Sequence, residues 1–124
     1  TVEFAVTQLK VKDIIVCGHA HCGAMGAILG FDGLPQELTL VRDGLEKDKK
    51  QLSKLGSYLT KTAETDIDKL IELNFLTQMK RLSGYPFIKK CLDNHEINIH
   101  GWVYDFTSGA LKYTSLGEEE FKLN

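Results

Sequence analysis

The chain has 124 residues, with 15 basic and 17 acidic side chains and a formal charge of −2. An apolar fraction of 43% beside a charged fraction of 26% is that of an ordinary globular protein, which excludes disorder, collagen-like repeats and a coiled coil. The near-neutral charge offers no electrostatic footprint for nucleic acid or an anionic membrane, and no apolar run approaches the ~18 residues of a spanning helix. The length suits a single domain over residues 1–124. Three cysteines, an odd number, argue against a disulfide framework and for a reducing, cytoplasmic setting. The chain opens at Thr1 with no Met or signal peptide and enters a helical pattern at once, for which Met removal before Thr is one explanation and a missing upstream segment the other.

In chain order, Val2, Ala5, Val6 and Leu9 form the stripe of a first helix. After a polar break at 10–12, the run from Asp13 to Cys17 is short, β-branched and bounded by Gly18, which predicts a strand buried on both faces. A loop at 18–23 leads into a small-residue helix at 24–29, and 30–35 reads as a turn. Between Gln36 and Thr62 the apolar points Leu38, Leu40, Val41, Leu45, Leu52, Leu55 and Leu59 fit surface helices. A stronger helix is predicted from Asp66 to Leu82, where Ile67, Ile71, Phe75 and Met79 recur at four-residue steps. Thr65 and Asp68 resemble a capping pair, and Gly84-Tyr85-Pro86 ends the helix. Pro86 then suits the first turn of a short helix through Leu92. From Glu96 to Phe106 the pattern alternates as a strand does, Thr107-Ser108-Gly109 turns, and 110–113 is a hairpin partner. Glu118 starts a polar tail. The whole predicts an α/β fold with a mostly parallel sheet flanked by helices.

Cys17-Gly18-His19-Ala20-His21-Cys22 is the one dense group of soft ligands, placed where a strand gives way to a helix. In open α/β sheets that carboxyl edge is where ligands bind, and a thiolate is stabilised near a helix start. An imidazole and a thiolate three residues apart, at His19 and Cys22, can reach one ion, and Zn²⁺ best suits a mixed sulfur and nitrogen set. A catalytic zinc takes three protein ligands and keeps an open position, so a further donor must come from elsewhere.

The stretch Val11 to Gly23, a strand running into Gly18-His19-Ala20-His21-Cys22-Gly23, resembles the central signature of the β-class carbonic anhydrases. Glu72 to Met79 and Tyr85 to Ile88 resemble that family's long helix and the turn after it, and Ile99 to Leu111 resembles its last core strand and hairpin. The likeness runs from Val2 to Tyr113 in the family's order and is weakest over 31–65. It implies that His19 and Cys22 bind zinc. It also implies reversible hydration of CO₂ to bicarbonate by zinc-bound hydroxide, since zinc lowers the pKa of bound water toward ~7. A homodimer or higher homo-oligomer with sites near the subunit interface is implied as well. The family's upstream C-x-D-x-R motif, which carries another zinc-binding Cys and an Asp, is not found in these residues. The zinc site is therefore half supplied. The competing expectation is a catalytically inactive, truncated relative that serves as a zinc-binding or assembly domain. A third keeps fold and zinc and changes the substrate to another small cumulated molecule such as CS₂.

Elsewhere the plainer readings prevail. Cys17 is expected to be a small core residue of its strand rather than a redox partner of Cys22, since the C-x-x-C spacing is lacking. Cys91 is expected to pack its helix, His95 to sit in a turn, and His100 to be a hydrogen-bonded structural residue. Trp102, Tyr104 and Phe106 read as a core or sheet-packing stripe, Lys47 to Lys50 as a solvated helix face, and His21 as no more than a neighbour of the ligands. Gly18, Gly23 and Gly26 match neither dinucleotide nor P-loop spacing.

Overall fold

The computed structural model describes residues 1–53, 66–118 and 120–124. Helix α1 covers Val2–Thr7, strand β1 Asp13–His19, helix α2 Gly23–Leu29, helix α3 Thr39–Ser53, helix α4 Asp66–Ser83 and helix α5 Pro86–Asp93. Strands β2 (Asn98–Tyr104), β3 (Leu111–Ser115) and β4 (Lys122–Leu123) complete the described elements. The expected Thr65 cap and the apolar points Leu55 and Leu59 lie outside the described residues.

The strands make one sheet in the order β1-β2-β3-β4. β1 runs parallel to β2, whereas β3 and β4 join as antiparallel neighbours. Helix α4 is the element that holds this sheet. Its Ile71, Leu73, Phe75 and Met79 are buried, at roughly 1.5–3 kcal/mol for each large side chain taken out of water. Acidic Asp66 and Asp68 open it and basic Lys80 and Arg81 close it, each sign complementing the helix dipole. It ends where Gly84 N–H and Tyr85 N–H turn back to Arg81 O and Leu82 O, and Pro86 starts α5 at a position that needs no N–H.

Two glycines let α4 approach. A Cβ on Gly18 of β1 would lie 2.5 Å from Phe75 Cε2, and one on Gly101 of β2 would lie 2.7 Å from Met79 Sδ. Gly18, Gly101 and their register neighbours Val103 and Val16 therefore form the inner face, under α4.

The other face is open, and here three expectations need correction. β1 is not buried on both faces; its residues alternate between exposed and half-buried, and among the described residues β2 is its one pairing neighbour. Cys17 is exposed on the outer side rather than packed in the core. Trp102 and Tyr104 also point outward, at 36% and 44% exposure, and Phe106 is exposed, while the alternate residues Ile97, Ile99 and Val103 supply the core. The polar tail is a further correction. Phe121 is buried against Phe75, rings edge-on at 6.5 Å, and Lys122 pairs with Tyr113 in β4. Cys91 does pack its helix into the lower core with Ile88 and Ile97. His95 does occupy the exposed turn after α5, in a left-handed conformation.

Candidate metal site

The β-branched run Asp13 to Val16 extends into β1, and the chain leaves the sheet at His19 and turns through Ala20 and His21 into α2. The turn is tight. His21 takes a positive φ of 55°, and Ala20 N–H still bonds to Tyr104 O, so the loop remains tied to β2. Cys22 is the N-cap residue of α2: its carbonyl accepts from Gly26 N–H at 3.0 Å, and its side chain makes no capping bond. The sulfur is thus left for other chemistry.

His19 is oriented by its own backbone. Nδ1 lies 2.8 Å from Ala20 O. A carbonyl oxygen only accepts, so Nδ1 carries the proton and Nε2 keeps its lone pair. A backbone carbonyl holding one ring nitrogen is the usual support for an imidazole that ligates through the other. His19 and Cys22 both line one cleft of about 160 Å³, walled by Val16, Met25, Ile71 and Phe75, with the amides of Asn74 and Gln78 on its α4 side. Those two amides bond to each other at 3.0 Å.

The donor chemistry, one imidazole nitrogen and one thiolate sulfur, suits Zn²⁺. It is half of a set. Among the described residues, no group of three or more His, Cys, Asp and Glu is placed to hold a metal. Cys17 also lines the cleft, although its sulfur lies against the carbonyl of Gly18 at 3.8 Å.

Beside the His19 loop lie residues that the sequence did not assign to the site. The Phe106 ring contacts both imidazoles, 5.8 Å from His19 and 6.4 Å from His21 between ring centroids. Asp105 Oδ1 is 3.9 Å from His21 Nε2. The Ser108 hydroxyl and Thr107 N–H donate to Asp105 and hold its carboxyl below the ordinary carboxylate range, so it stays ionised. The signal for this was present in Asp105-Phe106-Thr107-Ser108, where an Asp precedes hydroxyl residues in a turn. What could not be seen was that the hairpin folds over the His19 loop. His100, expected to be structural, is hydrogen-bonded on the outer face, with Nε2 3.0 Å from Asp13 Oδ1 and Nδ1 3.4 Å from Ser115 Oγ.

A family model described as carbonic anhydrase matches residues 1–111. The chain is 37% identical over 110 residues to a carbonic anhydrase of Synechocystis sp., covering 88% of this chain and 40% of that protein. It is similar in structure to the β-carbonic anhydrase CcaA, with a TM-score of 0.77 and 33% identity over 99% of this chain and 56% of that one. One of two tetrameric β-carbonic anhydrases from Sordaria macrospora shares the fold at a TM-score of 0.68 and 24% identity, covering 94% of this chain and 58% of that one. The chain spans about half the length, or less, of the curated relatives it matches.

Proposed function

Because the chain belongs to the β-class carbonic anhydrase family, we propose that it serves the zinc-dependent, reversible hydration of CO₂ to bicarbonate, with His19 and Cys22 as two of the zinc ligands. The observation that carries this reading is the His19 Nδ1 bond to Ala20 O, which leaves Nε2 as a donor in the same cleft as a thiol not engaged in capping its helix. Zinc, when bound, supplies the Lewis acidity that makes water a nucleophile near neutral pH. The protein's own part is placement. The loop tie from Ala20 to Tyr104 fixes the two donors, and Val16, Met25, Ile71 and Phe75 offer an apolar wall suited to a small apolar molecule such as CO₂. The cytoplasm is the setting we assign, on the three thiols, and a homodimer or higher homo-oligomer is the assembly, as the tetrameric relatives suggest. No helix among the described residues is long and apolar enough to cross a membrane.

A second reading rests on one observation, that among the described residues no third His, Cys, Asp or Glu joins the pair. On it the chain is a zinc-binding or assembly domain without turnover. Zinc content measured beside stopped-flow CO₂ hydration separates the two. Zinc-loaded chain whose hydration is abolished by His19→Ala or Cys22→Ser supports catalysis. Zinc-loaded, inactive chain supports the second reading, and metal-free, inactive chain contradicts both.

A further inference from the structure

Asn74 and Gln78 lie one turn apart on α4, and both line the cleft that holds His19 and Cys22. Their orientation is set from the end of the helix. Arg81 Nη1 donates to Gln78 Oε1 at 3.2 Å, and a guanidinium has no acceptor, so the amide oxygen of Gln78 must face Arg81. Gln78 then offers Nε2 to its other neighbour and donates to Asn74 Oδ1 at 3.0 Å. The oxygen of Asn74 is engaged by that bond. Its Nδ2 carries N–H groups that meet no acceptor among the described residues. The polar group that Asn74 has left for the cleft it lines is therefore a donor. The relay begins at a positive charge, and each hydrogen bond polarises the next, which strengthens the last donor.

The rest of the cleft suits that donor to one class of ligand. Val16, Met25, Ile71 and Phe75 wall it, and no carboxylate, Lys or Arg is among the described residues that line it. His19 Nδ1–H is already engaged by Ala20 O. A monoanion is thus not repelled, and a hydrogen bond to a charged acceptor is about twice as strong as one between neutral groups. A dianion would bring a second charge into apolar surroundings without a partner. CO₂, uncharged and a weak acceptor, gains little from the same N–H. We propose that Asn74 is a substrate-binding residue, whose Nδ2–H donates to an oxygen of bicarbonate held beside His19 and Cys22. This contact rests on the zinc reading above and adds to it a ligand contact from α4. The helix that packs on Gly18 through Phe75 presents Asn74 one residue earlier.

The test is anion binding to the reduced, cobalt(II)-loaded full chain, read from its visible spectrum. Bicarbonate and iodide are titrated in turn, iodide being a monoanion that accepts hydrogen bonds poorly. Asn74→Leu removes the donor and adds no charge. Asn74→Asp keeps an oxygen for Gln78 and replaces the donor by a carboxylate. Asn74→Leu is expected to weaken bicarbonate binding about tenfold or more and to leave iodide within about twofold. Asn74→Asp is expected to keep the far-UV circular dichroism and thiolate absorption of the parent and to weaken both anions. In the zinc-loaded, nitrogen-15-labelled parent, the Asn74 side-chain amide resonances are expected to move with bicarbonate and to saturate. A parent without thiolate absorption overturns the zinc reading and this contact with it. With that absorption intact, the contact alone is overturned by a parent spectrum that ignores bicarbonate, by amide resonances that stay still, or by parent-like bicarbonate affinity in either variant. Loss of thiolate absorption in folded Asn74→Leu also overturns it, by placing the amide on Cys22.

Discussion

Gly18 joins the fold to the site, because it packs under α4 and immediately precedes His19. In Gly18→Ala the new methyl carbon falls 2.5 Å from Phe75 Cε2 and 2.7 Å from Cζ. Ordinary carbon contacts begin near 3.5 Å, so the ring or the strand must withdraw by about 1 Å. Phe75 is buried and held by Phe121, and its ring has little room to turn. Overpacking of this kind costs about 1–3 kcal/mol, which at about 3–6 °C per kcal/mol for a chain of this size lowers Tm by roughly 3–18 °C. Thermal unfolding of Gly18→Ala, Phe75→Leu and the double variant forms the assay. Phe75→Leu alone should destabilise by leaving a void, yet the double variant should be more stable than the sum of the two losses predicts, since the smaller side chain makes room for the methyl. A wild-type Tm for Gly18→Ala, or strictly additive losses, would refute the close approach of α4 to β1.

Two more expectations concern the sheet. His100 and then Asn98 donate to Asp13 Oδ1 and hold its carboxyl below the ordinary 3.8. A carboxyl lowered on folding stabilises above its unfolded pKa and loses that contribution as pH falls through the folded value. The Tm advantage of the parent over Asp13→Asn should therefore hold from neutral pH to about pH 4 and shrink below it; an advantage unchanged down to pH 2 contradicts this. Phe121→Ala should cost about 3 kcal/mol in denaturant unfolding, because the ring is buried against Phe75, whereas a change within ~0.5 kcal/mol would return these residues to the status of a tail.

What could be read from the sequence was what neighbouring residues determine. The four-residue recurrence of Ile67, Ile71, Phe75 and Met79 produced α4, the Gly84-Tyr85-Pro86 stop ended it, and the alternation about Val103 produced β2. The break between β1 and α2 was also legible, but the loop is shorter than the expected 18–23, because β1 runs on through Gly18 to His19 and α2 begins at Gly23. What failed depends on partners distant in the chain. A short apolar run looks the same whether one face of the strand is covered or both, so the exposure of Cys17 and Ile15 on the outer face was not legible in it. Alternation assigned Trp102 and Tyr104 to one face and Val103 to the other without saying which face α4 covers; Gly18 and Gly101, with no side chains to obstruct it, decide that. At the site, the spacing of His19 and Cys22 was legible. The Ala20 carbonyl that selects the His19 tautomer, and the Phe106 ring set against both imidazoles, arise from a turn and a hairpin that meet only in the folded chain.

The central claim is that His19 and Cys22 bind one metal ion together. Cobalt(II) reports such a site by its visible spectrum, since a thiolate ligand adds an intense charge-transfer absorption. Titration of the reduced chain with cobalt(II) should give that absorption, zinc should displace it, and both Cys22→Ser and His19→Ala should abolish it while Cys91→Ser leaves it intact. A parent chain that shows no thiolate absorption, or one whose absorption survives Cys22→Ser, contradicts the account.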